Sequence, residues 1–322
     1  MARNFGLTVL GLFALTVMIS PQARAAEGAL GFYLLGSKTM MAGYLPGPGV
    51  YGGLWNYGYS GSGNIDFESG GVTVSGNIDA DAYIAMPSLL WVLDADALGG
   101  HVAFSATTPY GGKSLKADAL LTGPRGGVLA TNYGSDNWAF GDPVLGAAWG
   151  GHSGKLFYSL GALLNVPVGP WEKGNPINIS FNRWAFDTTA AITYLDPATG
   201  LELSGAAGLT FNGENPETNY ETGTEFHFEW ATMLHASHTF SVGFTGYAYK
   251  QITGDSGSGA VLGGFEGEVY AIGPALSYTF AIGTIPIVTN LSYLREFGAK
   301  NRLEGDVGFV NLAIPLGGQT PH

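Results

Sequence analysis

Glu225, His227 and Glu229 alternate with Phe226, Phe228 and Trp230. Successive side chains of an extended chain point to opposite faces, so these three ligand-type residues share one side. Such a triplet can hold a divalent metal or pair a base with its partner. It is also what the polar lining of an enclosed sheet looks like, and that reading weighs more. Tyr247 and Tyr249 share a row with Gln251 in the next apolar–polar stretch. Their rings can stack on an aromatic ligand, or simply fill a narrow interior. Glu202 stands with Ser204 and Thr210 opposite Leu201, Leu203, Ala207, Leu209 and Phe211. His235 and His238 flank the turn between two such stretches, where a metal or pH-sensing role competes with plain solvation.

Other motifs lead away from catalysis. Gly47-Pro48-Gly49-Val50-Tyr51-Gly52 spells a nucleotide-loop pattern, but its prolines and the Tyr/Trp stretch that follows deny it the helix such a loop needs. No G-x-S-x-G elbow and no cysteine occur. The Gly/Ser/Asn/Asp-rich segments 61–79 and 252–264 contain oxygen ligands for calcium without a defined spacing, and read as outer loops. Lys113, Lys116 and Arg125 form the most basic local patch, suited to lipopolysaccharide phosphates. No catalytic residue, metal ligand or cofactor is assigned. The expected lumen and substrate-binding set is Glu202, Glu225, His227, Glu229, Tyr247 and Tyr249.

These residues need elements to hold them, and composition constrains what the elements are. Only 12% of residues are charged and 13% are aromatic, with 52 Gly and 16 Pro. So little charge suits a membrane protein, yet the mean hydropathy of +0.16 is too low for a bundle of apolar helices. A transmembrane β-barrel reconciles the two, because alternate residues face lipid and lumen. Arg3, the apolar run Phe5 to Ile19 and the site Ala23-Arg24-Ala25 read as a cleaved signal peptide over 1–25. Its removal deletes two of the 13 basic residues and none of the 25 acidic ones, and that acidic balance argues against nucleic acid as a partner.

Period-two patterning predicts an all-β fold: an antiparallel barrel of about 12 strands. The strands are expected near 50–60, 80–92, 100–109, 138–149, 155–166, 184–195, 201–211, 223–235, 238–250, 269–280, 285–297 and 303–316. Connections after even strands are short. Those after odd strands are mostly long, notably 61–71, 110–137, 167–183, 212–222 and 251–268, as expected when they face outward. Trp91, Trp149, Tyr194 and Phe280 close strands at one rim, and Trp138 and Trp184 open them at the other, suggesting aromatic girdles. The domain plan is a signal peptide over 1–25, a periplasmic or plug segment over 26–48, a barrel over 49–316 and a tail over 317–322. The tail lacks the terminal aromatic of many such barrels.

Several stretches together resemble a known family. They run from Gly43-Tyr44-Leu45-Pro46-Gly47-Pro48-Gly49-Val50-Tyr51 through Leu98-Gly99-Gly100, Phe140-Gly141-Asp142-Pro143 and Asn165-Val166-Pro167-Val168-Gly169. Thr218-Asn219-Tyr220-Glu221-Thr222-Gly223-Thr224-Glu225-Phe226-His227 follows, then Gly246-Tyr247-Ala248-Tyr249-Lys250-Gln251, Ala271-Ile272-Gly273-Pro274 and Phe297-Gly298-Ala299-Lys300-Asn301-Arg302. In order and spacing these resemble the outer-membrane transporter family of the meta-pathway of phenol degradation. The resemblance implies an outer-membrane channel, not an enzyme, that takes up small hydrophobic or aromatic compounds. Its expected partners are the lipid bilayer, lipopolysaccharide and the solute. The alternatives are a barrel-borne lipid hydrolase and a structural or adhesive barrel without a solute path.

Overall fold

A computed structural model describes residues 31–69, 72–122, 128–260 and 263–318. The expected signal peptide, Arg125 and residues 319–322 lie outside these. The chain forms β1 (Gly49–Ser69), β2 (Val72–Ala97), β3 (Gly100–Thr107), β4 (Tyr110–Thr122), β5 (Val128–Phe140), β6 (Val144–Ser153) and β7 (Leu156–Asn165). It continues with β8 (Ala185–Asp196), β9 (Leu201–Asn212), β10 (Glu225–His235), β11 (Phe240–Gln251), β12 (Glu268–Ile282), β13 (Ile285–Lys300) and β14 (Glu304–Gly318). Neighbours pair antiparallel, and β1 pairs with both β2 and β14, closing the sheet on itself.

The fourteen segments make a barrel of twelve strands. β3 and β4 run one after the other along β2, while β5 and β6 run together opposite them. Both breaks contain a proline, Pro109 and Pro143, whose missing N–H interrupts the ladder. The wall stays stitched where the ladder stops: Thr108 N–H donates to Pro87 O at 3.1 Å and Gly141 N–H to Pro109 O at 2.8 Å.

Side chains sort as the period-two pattern requires. In β8, Asp187, Thr189, Ala191 and Thr193 are buried inside, while Phe186 and Ile192 are exposed outside. In β2 the outward row is apolar from Tyr83 to Leu93, bounded by Asp79 and Asp81 above and by Asp94 and Asp96 below. At ~3.3 Å per residue and a tilt of ~40°, that row spans about 25 Å, the height of an outer-membrane apolar band. Trp91, Trp138, Trp184 and Phe280 lie exposed on this outer surface. Trp149 and Tyr194 are half-buried, and Trp149 donates its indole N–H to Ala97 O at 2.7 Å.

Two expected loops are largely strand. The described residues of 61–79, expected as an outer loop, belong to the β1–β2 ribbon, paired from Gly49↔Val92 to Ser69↔Val72. Segment 110–137 is mostly the β4–β5 hairpin, paired from Tyr110↔Phe140 to Thr122↔Val128. Gly, Ser, Asn and Asp are poor strand formers by propensity, but pairing on both sides of the wall overrides that preference. Lys113 is therefore not part of an exposed basic loop. It points inward, buried, and donates to Asn178 O at 2.7 Å, whereas Lys116 faces out.

The remaining long connections fold back onto the barrel. Asp142, at the β5–β6 break, accepts from Asn165 Nδ2, Gly169 N–H and Phe181 N–H, tying the 166–184 connection to the wall. Connections 213–224 and 252–267 bridge each other at Glu221↔Ser256. Asp255 accepts from Tyr220 Oη, Gly223 N–H and Gln251 Nε2.

Candidate functional site

The interior has two unlike walls. One, carried by β8, β9 and β10, is lined with Asp187, Thr193, Glu202, Ser204, Glu225 and Glu229, all buried. Along it runs the described part of the segment that precedes β1. Glu229 accepts Gly36 N–H at Oε1 and Lys38 N–H at Oε2, both at 2.6 Å. Glu202 accepts Met41 N–H at 2.6 Å, Thr193 Oγ1 accepts Gly43 N–H at 3.0 Å, and Ser159 Oγ donates to Ala42 O. The segment has no sheet partner for its backbone, and a buried N–H without an acceptor costs about 1–3 kcal/mol. Wall carboxylates supply those acceptors, as charge-assisted bonds. Gly43 needs its missing side chain, since a Cβ there would lie 2.6 Å from Phe157 O.

Tyr33 stacks on His227 with ring centroids 3.7 Å apart. Burial, with the charges of Glu229 and Asp187 added, holds the Tyr33 phenol well above its ordinary pKa, so it stays protonated. Burial lowers the Lys38 ammonium, against the opposing pull of Glu229 and Asp187.

The histidines are fixed by the wall. His227 Nε2 lies 2.9 Å from Asp187 Oδ2, two strands away. Gly208, on the strand between, pairs with His227 on one side and Thr189 on the other, and a Cβ there would come within 2.4 Å of His227 Nε2. Asp187 also accepts from Thr189 and Thr210, so the pair belongs to a hydrogen-bonded network. His235 is not a solvated turn residue. It turns inward, with Nε2 2.7 Å from Glu202 Oε2 and Nδ1 2.8 Å from Ser241 Oγ.

The other wall is apolar and aromatic. Tyr57, Tyr59, Tyr247, Tyr249, Leu294 and Phe309 form its buried centre, and Leu34 and Leu35 of the inner segment pack against it. Tyrosine hydroxyls are taken up by carboxylates: Tyr247 donates to Glu296 at 2.7 Å, Tyr59 to Glu296 at 3.2 Å and Tyr249 to Glu225 at 2.6 Å. Arg302 reaches in from the β13–β14 turn and lies over the Tyr249 ring, 4.6 Å from its centroid.

All six residues expected in the lumen, Glu202, Glu225, His227, Glu229, Tyr247 and Tyr249, face the interior and are buried. Glu225, His227 and Glu229 share a face yet serve separate partners: Tyr249 and Asn212, Asp187, and the inner segment. Among the described residues, no three His, Asp or Glu side chains converge as metal ligands do. Asp187, Arg302, Glu296 and Tyr33 were absent from the expected set. Parity puts Asp187 and Glu296 on inward rows, a signal available in the sequence. The partners of Tyr33 and Arg302 depend on folding over long separations.

The fold has a solved counterpart. An outer membrane channel from Pseudomonas putida F1 matches with TM-score 0.65 at 13% identity, covering 88% of this chain and 99% of that one. Looser likenesses include the transport unit of the autotransporter AIDA-I from Escherichia coli (TM-score 0.41, 8% identity, 94% of this chain and 97% of that one). The CymD monoaromatic hydrocarbon channel gives TM-score 0.41 at 7% identity over 92% of this chain and 98% of that one. Comparison with curated sequences gives no match. The family model described as "Putative MetA-pathway of phenol degradation" matches residues 62–312, and the chain belongs to that family.

Proposed function

We propose that this outer-membrane barrel takes up small apolar or aromatic molecules and does no chemistry on them. The observation that carries this reading is the buried aromatic wall of Tyr57, Tyr59, Tyr247, Tyr249, Leu294 and Phe309. A channel for hydrated solutes is lined by polar groups around water, whereas an apolar wall favours solutes that lose little on leaving water. Such a route complements a lipopolysaccharide leaflet, through which apolar molecules partition poorly. The inner segment lies across the lumen as a plug and must shift for a solute to pass. Export through a cleaved leader over 1–25 belongs to the same reading, as does contact of the outward Lys116 with lipopolysaccharide.

The test pairs two measurements. Cells carrying the gene should take up a labelled arene several-fold faster than cells lacking it. Liposomes holding the purified chain should swell little in sugars, because the plug blocks a wide aqueous path. Equal arene uptake by both strains would remove the proposal.

A further inference from the structure

At Gly36 the inner segment touches both walls at once. Its N–H donates to Glu229 Oε1 at 2.6 Å on the polar wall. On the other side a Cβ would lie 3.0 Å from Phe309 Cε2, 3.3 Å from Leu294 Cδ1 and 3.5 Å from Tyr247 Cδ1. Its φ of 90° also favours a residue without a Cβ. The two walls are one backbone apart there, and that backbone fills the gap. Leu34 and Leu35, just before it, pack against the same aromatic cluster. The apolar wall therefore already carries an apolar ligand, and the ligand is part of the chain.

The segment divides at Met41, whose φ of 49° makes a left-handed bend uncommon for a side chain of its size. Beyond the bend the chain is fixed: Ala42 and Gly43 bond to Ser159 and Thr193, and Tyr44 N–H donates to Met41 O at 2.9 Å. Before it, the arm 31–40 is held by Glu229, by the stack of Tyr33 on His227 and by apolar contacts of Leu34, Leu35 and Met40. A solute that replaces the two leucines keeps the wall covered, so that surface is never given to water. A charged solute would lose its hydration for an apolar seat. We propose that the seat of Leu34 and Leu35 is the solute's binding site, and that the arm inhibits the channel by competing for it. Its ligand is an uncharged hydrocarbon group about as bulky as the leucine side chains it displaces, saturated or unsaturated. The assignment rests on the uptake reading above and locates where its solute binds.

The chain has no native cysteine, so Thr39→Cys, at a buried position of the arm, supplies a single reporter thiol. The full mature chain in amphipol is labelled with iodoacetamide, with and without fluorocyclohexane or fluorobenzene. Either probe should speed labelling several-fold by displacing the arm. Probe affinity is read by fluorine NMR line broadening, with empty amphipol as the blank. Gly36→Ala keeps both leucines but brings a Cβ against Phe309, whereas the double variant Leu34→Ser/Leu35→Ser removes the internal ligand. Each should bind both probes about tenfold more tightly than wild type, because the competitor has lost apolar contact. Heat-modifiable gel migration verifies that each barrel is folded. Probe binding that leaves Thr39→Cys labelling unchanged, or that is equal or weaker in both variants, overturns the competition and leaves the uptake reading standing. Binding of neither probe by any of these forms overturns both.

Discussion

At the residue scale, the carboxylates of the polar wall act as acceptors for a backbone that has no sheet to pair with. Glu229 takes two N–H groups of the inner segment, one on each oxygen. Glu229→Gln leaves one acceptor oxygen and no charge, and hydrogen bonds to charged groups are worth about 1.5–3 kcal/mol. The segment should then leave the wall about ten times more often, and trypsin cleavage after Lys38 in the detergent-purified barrel should speed up by a similar factor. An unchanged rate would show that the segment is held elsewhere. Period-two reasoning on 225–229 placed Glu225, His227 and Glu229 on the inward face. It did not reveal that the three serve different partners, because Asp187, Gly36 and Tyr249 are brought to them only by closure of the barrel. The same limit applied to His235. A histidine beside a turn looks solvated until Glu202 and Ser241 close around it.

At the element scale, the outward rows form the membrane surface, and substitutions there should depend on depth. Phe244 is exposed on the outer face of β11, near mid-height, while Asp81 lies above the apolar row of β2. Phe244→Arg should cost ~2–4 kcal/mol, and Asp81→Arg at most ~1 kcal/mol. Denaturant titration of the lipid-reconstituted barrel separates these outcomes, and equal costs would contradict the assigned band. Asp142 gathers three donors at the β5–β6 break. Asp142→Ala should leave the 166–184 connection open to proteolysis at Lys173 while the barrel stays closed, as a fragment pattern on a gel would report. The number of barrel strands and the place of each in the chain were legible, though not the full length of those on either side of 61–79 and 110–137, because alternation survives even in Gly-rich stretches. The error at 61–71 and 110–137 came from treating turn-type residues as loops. There the wall extends past the apolar band, where both faces of a strand can be polar or small.

At the scale of the whole molecule, closure creates an inside with two chemistries: a polar wall that binds the inner segment and an aromatic wall that such a segment covers with Leu34 and Leu35. The sequence could foretell an enclosed lumen but not this division, since which strands become neighbours across the interior follows from the closed order of the sheet. The account stands on the aromatic wall being the solute's route. It is tested most directly by uptake of a labelled unsubstituted arene in cells carrying Leu294→Asp, at matched outer-membrane abundance of folded barrel. A buried charge on that wall should reduce uptake to the level of cells lacking the gene. Uptake equal to wild type with Asp at 294 would contradict the account.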